Sequence, residues 1–269
     1  MVTRGRRVTA ILRACALVTI ATSCNALTGI DGYQVSSGST ELVRVGSFSI
    51  DAREVTQAQY AEFLAAAGKA QGLVPTFCAW NLGFEPTCGL DPRSHRPVVC
   101  VDWCDAFVYC KWAGKRLCGR VGGDSCPIDR RNDASQSQWF SACTNQFADT
   151  HEFPYGTGYD ASRCNTADYG AGTTLEVGAA SRCVVSGTAT PLFDMSGNVW
   201  EWEDACKPGA SPDPAVTLCG RRGGSFRVGL AGGGNQALAR CSSGSDEIQT
   251  LMPRNQAADD VGFRCCSDP

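Results

Sequence analysis

The stretch that decides the fold of this chain is Phe-Asp-Met-Ser-Gly-Asn-Val-Trp-Glu-Trp, residues 193–202. Its middle is rich in turn-forming residues around Gly197, which can adopt a positive φ angle. From Val199 onwards the side chains alternate, and this alternation predicts a β-strand. In such a strand Glu201 points away from the two tryptophans that flank it. The stretch therefore predicts a tight turn that leads into a strand.

The turn also carries a candidate metal site, because Asp194 and Glu201 bracket it. Two carboxylates together with turn carbonyls are hard oxygen ligands, the set that Ca²⁺ prefers. The alternative is structural, with Asp194 capping the turn and Glu201 solvated. The spacing by itself leaves both interpretations open.

The same stretch closely resembles the signature of the formylglycine-generating enzyme (sulfatase-modifying factor) family. Other segments follow in the family's order, among them Arg-Gly-Gly-Ser-Phe at 222–226 and Gly-Phe-Arg-Cys at 262–265. The resemblance runs from about Glu41 to the C-terminus. It implies an irregular, loop-rich α+β fold related to C-type lectins. The remaining matching segments are residues 54–60, 97–103, 109–117, 135–139 and 154–156.

The resemblance implies calcium ligands at two places. The first set consists of two side chains and two backbone carbonyls, from Asp194, Glu201, Gly197 and Val199. The second set matches a weaker family motif whose downstream part is shortened here, and it consists of Asn165, Thr166 and Asp168. Calcium is therefore the expected cofactor.

Catalysis is not expected, because the family's copper ligands are missing. The family oxidises a substrate cysteine to formylglycine with O₂ and a copper ion held by two cysteine thiolates, which suit Cu(I) because both are soft. The corresponding positions are Val228 and Gly233, and residues 227–235 contain no cysteine. Trp200 and Ser225, which line that site in the family, are retained as a remnant of the pocket. With the copper ligands gone, a structural role is expected for both.

The composition of the chain limits the kinds of function that we expect. The net charge of −3 gives no reason to expect binding to nucleic acid. The chain has two histidines, too few for a histidine-rich iron site. Its 17 cysteines lack the paired spacing of zinc sites, so disulfides in an oxidising compartment are the economical interpretation.

The N-terminus resembles an export signal. A basic lead precedes an apolar run, residues 14–21, that is too short to span a bilayer as a helix. The Ala-Thr-Ser-Cys string that ends at Cys24 resembles a lipoprotein cleavage box. We therefore expect a lipoprotein-type signal at 1–23, a flexible tether at 24–40, a domain at 41–269, and a membrane anchor on Cys24 in the cell envelope. Ordinary cleavage and secretion is the alternative.

Removing Cys15 and Cys24 leaves an odd number of cysteines, so at least one is unpaired. The resemblance implies two long-range bridges, Cys110–Cys265 and Cys143–Cys241. Proximity in sequence suggests four local bridges: Cys78–Cys88, Cys118–Cys126, Cys164–Cys183 and Cys206–Cys219. The cysteines then left over are Cys100, Cys104 and Cys266, two of which can pair.

The helix signals are few. Residues 42–50 alternate and predict one strand. Capping patterns predict helices at 57–67, 103–113 and from Ser135 to about Cys143. Compared with the family, residues 118–134 are an insertion.

Two functions are consistent with these features. The first is a non-catalytic, calcium-stabilised binding or scaffold module that recognises an unidentified protein or peptide. The alternative is an oxidoreductase of the formylglycine-generating family with a displaced active site, in which Cys266 or Cys100 is a reactive thiol.

Overall fold

In the computed structural model, Met1 and residues 41–146, 150–207, 213–230, 235–242 and 247–268 are described. From residue 41 onwards they belong to one compact unit, Ser37–Pro269. Cys24 and the rest of the predicted export signal beyond Met1 lie outside the described residues. None of the helices in the described part of the chain has the length and apolar character needed to cross a membrane.

Two four-stranded sheets form the framework. The first has the order β1-β2-β8-β3 and the second the order β6-β5-β4-β7. All neighbouring strands are antiparallel except β4 and β7, which run parallel. The strands are β1 (Leu42–Val45), β2 (Phe48–Asp51), β3 (Arg116–Leu117), β4 (Trp200–Cys206), β5 (Leu218–Arg222), β6 (Leu251–Pro253), β7 (Val261–Gly262) and β8 (Cys265–Ser267).

The helices are short and few. They are α1 (Gln57–Ala65), α2 (Ala67–Ala70), α3 (Trp103–Trp112), α4 (Gln138–Cys143) and α5 (Glu247–Thr250). Short 3₁₀ turns connect them, at Gln71–Leu73, Thr76–Cys78, Ile128–Arg130, Ala167–Tyr169, Pro214–Val216 and Gln236–Ala239. This mixed, loop-rich architecture confirms the predicted α+β class.

Capping side chains fix where the main helices begin. Thr56 caps α1 and Asp102 caps α3, each in a complete capping box. The predicted start of α4 at Ser135 is wrong by two residues, because the cap is Ser137, whose hydroxyl accepts from the Phe140 N–H. The predicted single strand at 42–50 is also wrong. Gly46, with φ of 55°, turns the chain back so that two strands form a hairpin.

The aromatic side chains of α1 and α3 meet in the larger of the core clusters. Tyr60 of α1 stacks on Tyr109 of α3, with ring centroids 5.5 Å apart. Phe263 closes the cluster against Tyr109 from the strand side, at 5.2 Å. The core therefore lies where the two longest helices pack on the C-terminal strands.

Seven disulfides among the described residues stabilise this arrangement. The pairs Cys110–Cys265 and Cys143–Cys241 are present, each with Cα atoms 5.6 Å apart, as the resemblance implied. The local pairs Cys164–Cys183 and Cys206–Cys219 are present too. So many bridges indicate an oxidising, extracellular environment.

Two predicted bridges are wrong. Cys78 pairs with Cys104 on α3, and Cys88 pairs with Cys100, so the predicted Cys78–Cys88 bridge is absent. The reason is that α3 returns the chain to the Cys78 turn, which makes a distant cysteine a closer neighbour than a local one.

The predicted Cys118–Cys126 bridge is likewise absent, because Cys118 pairs with Cys266. Cys118 directly follows β3, which is hydrogen-bonded to β8, the strand that carries Cys266. Sheet pairing therefore decides the partner, and Cys126 is the cysteine left without a bridge among the described residues.

Candidate functional site

The turn at residues 193–202 folds into a strained, buried corner. Asp194 and Asn198 both adopt positive φ angles, 56° and 57°, as non-glycine residues. Gly197 has φ of 72°, and a Cβ atom there would lie 2.5 Å from the Asn165 carbonyl oxygen. The predicted tight turn before a strand is therefore confirmed. Glycine is required at position 197 because of its positive φ angle and because a side chain there would clash with Asn165.

Glu201 is buried, with 1% of its surface exposed, so the alternative of a solvated Glu201 is wrong. Its two carboxylate oxygens accept hydrogen bonds from the Arg264 guanidinium, at 2.6 and 2.7 Å. The Trp139 indole N–H also donates to it, at 2.8 Å. This is a bidentate, charge-assisted pair of the strong kind.

Asp194 and Glu54 extend this acidic cluster around Arg264. Burial raises the pKa of Asp194 to about 6, opposed by the hydrogen bond from the Gly178 N–H and by the charge of Arg264. Burial also raises the pKa of Glu54 well above its usual range, and the nearby Asp194 adds to the effect. Three carboxyl groups thus share one guanidinium.

This arrangement does not fit Glu201 as a calcium ligand. A calcium ion there would compete with the Arg264 guanidinium, whose charge and donors already satisfy both carboxylate oxygens. Within the described residues, no group of three or more histidine, cysteine or acidic side chains is placed to hold a metal. The calcium assignment to Asp194, Gly197, Val199 and Glu201 stays a prediction, and the function proposed below does not depend on it.

The residues of the second expected calcium set make hydrogen bonds within the domain, and this calcium assignment also stays a prediction. The Tyr159 hydroxyl contacts the Thr166 hydroxyl at 2.7 Å and donates to the Asp168 carboxylate at 2.5 Å. The Asn165 amide nitrogen donates to the Asn198 side-chain oxygen, and the Asn165 Oδ1 is buried without a hydrogen-bond partner among the described residues. The backbone N–H of Leu230 also donates to Asp168, at 2.7 Å. These residues tie the 165–168 turn to the segment that follows Ser225.

The position of the family's first copper ligand is part of the apolar core. Val228 is 7% exposed and packs in the larger core cluster. Its carbonyl accepts from the Ala167 N–H, which fixes the segment against the 165–168 turn. Valine offers no ligand atom for copper. The second position, Gly233, lies outside the described residues.

The two retained pocket residues have structural partners. The Ser225 hydroxyl donates to Asp260, at 2.8 Å, and Arg221 stacks over the Trp200 ring, at 4.7 Å. Arg227 makes a bidentate pair with Asp259, at 2.6 and 2.7 Å. Charged side chains therefore contact both Trp200 and Ser225, the two residues that line the oxidase pocket in the family.

No pair of thiols is available in the described residues. The bridges contain both Cys266 and Cys100, so the suggestion that either is a reactive thiol is wrong. The remaining cysteine, Cys126, is buried, and burial together with the nearby Glu203 raises the pKa of its thiol to about 12. A thiol with such a pKa is a poor nucleophile and a poor metal ligand at neutral pH.

Two residues of the site, Arg264 and Asp260, were not predicted from the sequence. Arg264 was identifiable in principle, since it is a lone cation within an apolar C-terminal run, and such a residue needs a buried acid as partner. Asp260 carried no local signal, because its partner Ser225 is 35 residues away.

Comparison with known proteins agrees with this geometry. The model of the family described as "Sulfatase-modifying factor enzyme 1-like domain" matches residues 24–269. The formylglycine-generating enzyme of Thermomonospora curvata is 25% identical over 86% of this chain and 86% of its own length. A bovine protein named inactive C-alpha-formylglycine-generating enzyme 2 is 28% identical over 70% of this chain and 56% of its own.

A solved structure shows the same fold. The crystal structure of CarF superimposes with a TM-score of 0.50 at 20% identity, covering 82% of this chain and 86% of CarF. The chain has the family's fold, its two long-range bridges and its turn–strand signature, while valine occupies the first copper-ligand position. The chain belongs to the sulfatase-modifying factor enzyme 1-like family.

Proposed function

We propose that this protein is a non-catalytic member of its family, a binding or scaffold module that is exported and anchored in the cell envelope through Cys24. The observation that carries the proposal is the state of the cysteines. Fourteen of those described are in bridges and the fifteenth is buried as a thiol. Two convergent thiolates, which Cu(I) requires in this family, are therefore not available among the described residues.

The relatives are compatible with such a role. Bovine and mouse proteins named inactive members match this chain at 28% and 27% identity. Other relatives are named as formylglycine-generating enzymes, so family membership by itself does not decide activity. The residue at position 228 and the bridged cysteines favour the non-catalytic alternative.

The structure of the domain suits partner binding. Seven bridges hold a loop-rich surface in fixed positions, and loops on a rigid scaffold are common binding surfaces. A fixed surface also loses little conformational entropy on association. We therefore expect a protein or peptide partner, and no nucleic acid.

An oxygen-consumption assay tests the loss of catalysis. The full-length protein is incubated with copper and a cysteine-containing peptide, and the expected result is no O₂ uptake and no formylglycine by mass spectrometry. The matched control is a family enzyme that turns over in the same assay. Turnover by this protein above the copper-only background would establish the oxidoreductase alternative with a displaced site.

Fractionation tests the anchor. The wild-type protein is expected in the membrane fraction and the Cys24→Ser variant outside it, because two or more acyl chains attach a protein stably. Wild-type protein found outside the membrane fraction, with an unmodified N-terminus beyond Cys24, would show that the protein is secreted by ordinary cleavage.

A further inference from the structure

A cavity of about 380 Å³ lies between the Thr76–Cys78 turn, the first turns of α3 and the end of β4. It shares no lining residue with the Glu201 cluster or with the former copper position. Its size is within the range of small-molecule sites. Its lining consists of the aromatic residues Phe77, Trp103 and Phe107, the charged residues Asp124, Asp204 and Arg254, and Ser125 and Cys206.

One side of the cavity is an aromatic wall. Trp103 and Phe107 are stacked, with ring centroids 5.0 Å apart. Phe77 packs against both, at 5.9 and 5.7 Å, and 39% of its surface is exposed. Phe77 is inclined to both stacked rings, by 55° to Trp103 and 76° to Phe107, so the three rings give the cavity an apolar aromatic side against which a ligand can pack.

Arg254 lies over this wall with unmet hydrogen-bonding capacity. Its guanidinium is 5.0 Å from the Trp103 centroid and 5.3 Å from that of Phe77, and 8% of the residue is exposed. Its Nε is buried without a hydrogen-bond partner among the described residues. A buried donor left unpaired costs free energy, and a guanidinium cannot escape that cost by losing its proton. Burial accordingly lowers the pKa of Arg254.

Asp204 compensates the positive charge of Arg254 only in part. Burial raises its pKa to about 6, opposed by a hydrogen bond from Ser125 and by the charges of Arg116 and Arg254, while Glu203 raises it further. No ion pair joins Asp204 to Arg254 among the described residues. The Nε of Arg254 is closed off from solvent, whereas its two terminal nitrogens have no hydrogen-bond partner in the described structure. Because Arg254 lines the cavity, these terminal nitrogens are the donors left for a ligand.

We propose that this cavity binds a carboxylate carried on an aromatic or other flat apolar group. The carboxylate accepts hydrogen bonds from Arg254, whose planar fork matches its two oxygens. The apolar group rests on Trp103, Phe107 and Phe77. A cationic ligand is disfavoured, despite the lining carboxylates Asp124 and Asp204, because it would leave the terminal nitrogens of Arg254 unpaired and would face the charge of Arg254.

Two sources supply this chemistry, the C-terminal residue of a peptide and a free aromatic acid. The inference does not rest on the proposed function, since a carboxylate can bind here whether or not the domain is catalytic. Its test uses neither copper nor turnover.

The test is calorimetric titration of the full-length protein with two probes that differ only in charge, N-acetyl-L-phenylalanine and N-acetyl-L-phenylalaninamide. The acid is expected to bind at least about tenfold more tightly, the size typical of a charge-assisted contact. Comparison with a longer peptide acid ending in phenylalanine separates the sources. Tighter binding of the peptide indicates a C-terminus, and weaker or equal binding indicates a small acid.

Variants assign the effect to the cavity. Arg254→Met should remove the preference for the acid, whereas Arg163→Met should retain it, because Arg163 stacks on Tyr155 outside the cavity. Asp204→Asn should tighten binding of the acid, which keeps the test valid if Arg254→Met fails to fold. Equal binding of acid and amide, no binding of the acid, or full affinity in a folded Arg254→Met protein would each overturn the proposal.

Discussion

Arg264 and Arg254 are both buried, yet Arg264 donates to both oxygens of Glu201 and to two backbone carbonyls, whereas Arg254 contacts aromatic rings and leaves its Nε unpaired. A buried charge with all its donors met is part of the framework. A guanidinium that lines a cavity and whose terminal nitrogens have no partner among the described residues is suited to a ligand. The comparison therefore separates a region that holds the fold together from one that can recognise a partner.

The largest expected loss of stability is that from removing a disulfide of either region. Cys110–Cys265, next to Arg264, spans 155 residues, and Cys206–Cys219, at the Arg254 cavity, spans 13. In the chain-entropy model their removal costs about 5 and about 3 kcal/mol of unfolding free energy. Urea denaturation of the two double-alanine variants measures this. Equal costs, or a larger cost for the short bridge, would contradict the expectation.

Replacing each arginine with methionine should have the next largest effect on the unfolding free energy. Arg264→Met leaves the Glu201 carboxylate buried without its partner, and we expect a loss of about 3–5 kcal/mol in unfolding free energy. Arg254→Met breaks no hydrogen bond and keeps contact with the rings, so a change within about 1 kcal/mol is expected. Denaturant midpoints give both values. If the two variants lose the same stability, the distinction between the two arginines is wrong.

Local signals predicted much of the fold, and long-range contacts account for what they missed. The caps at Thr56 and Asp102 and the turn before Trp200 depend on neighbouring residues, so the sequence reveals them. The partner of Cys118 depends on which strands pair, and Cys266 is 148 residues away. The same holds for Glu201, whose partner Arg264 is 63 residues distant. The ion pair between Glu201 and Arg264 could therefore not be read from the turn that contains Glu201.

Acidity is expected to stabilise both regions. The pKa values of Asp194, in the Arg264 cluster, and Asp204, at the Arg254 cavity, are raised to about 6 from an ordinary value of 3.8. Below pH 6 the folded state binds protons that the unfolded state does not, so the unfolding free energy rises as the pH falls from 7 towards 4.

Chemical denaturation at several pH values measures how the unfolding free energy changes with pH. In a protein that carries both Asp194→Asn and Asp204→Asn, this change should be smaller. A wild-type protein that loses stability between pH 7 and pH 5 would show that other groups outweigh these two.

The smallest expected effect is that of calcium removal. Because Arg264 supplies the positive charge beside Glu201, the thermal midpoint should be the same in EDTA and in calcium. Scanning calorimetry decides this. A midpoint that falls in EDTA, recovers with calcium and becomes insensitive in Asp194→Ala would support the predicted calcium site.

This chain retains the family's fold, but valine and glycine occupy the positions of the copper-binding cysteines. An anaerobic Cu(I) titration against a chromogenic chelator tests it most directly, with Val228→Cys/Gly233→Cys as the matched variant that restores the family's ligand pair. The account predicts that the wild-type protein removes no Cu(I) from the chelator and that the double variant binds one ion per chain. One equivalent of Cu(I) bound by the wild-type protein would contradict it.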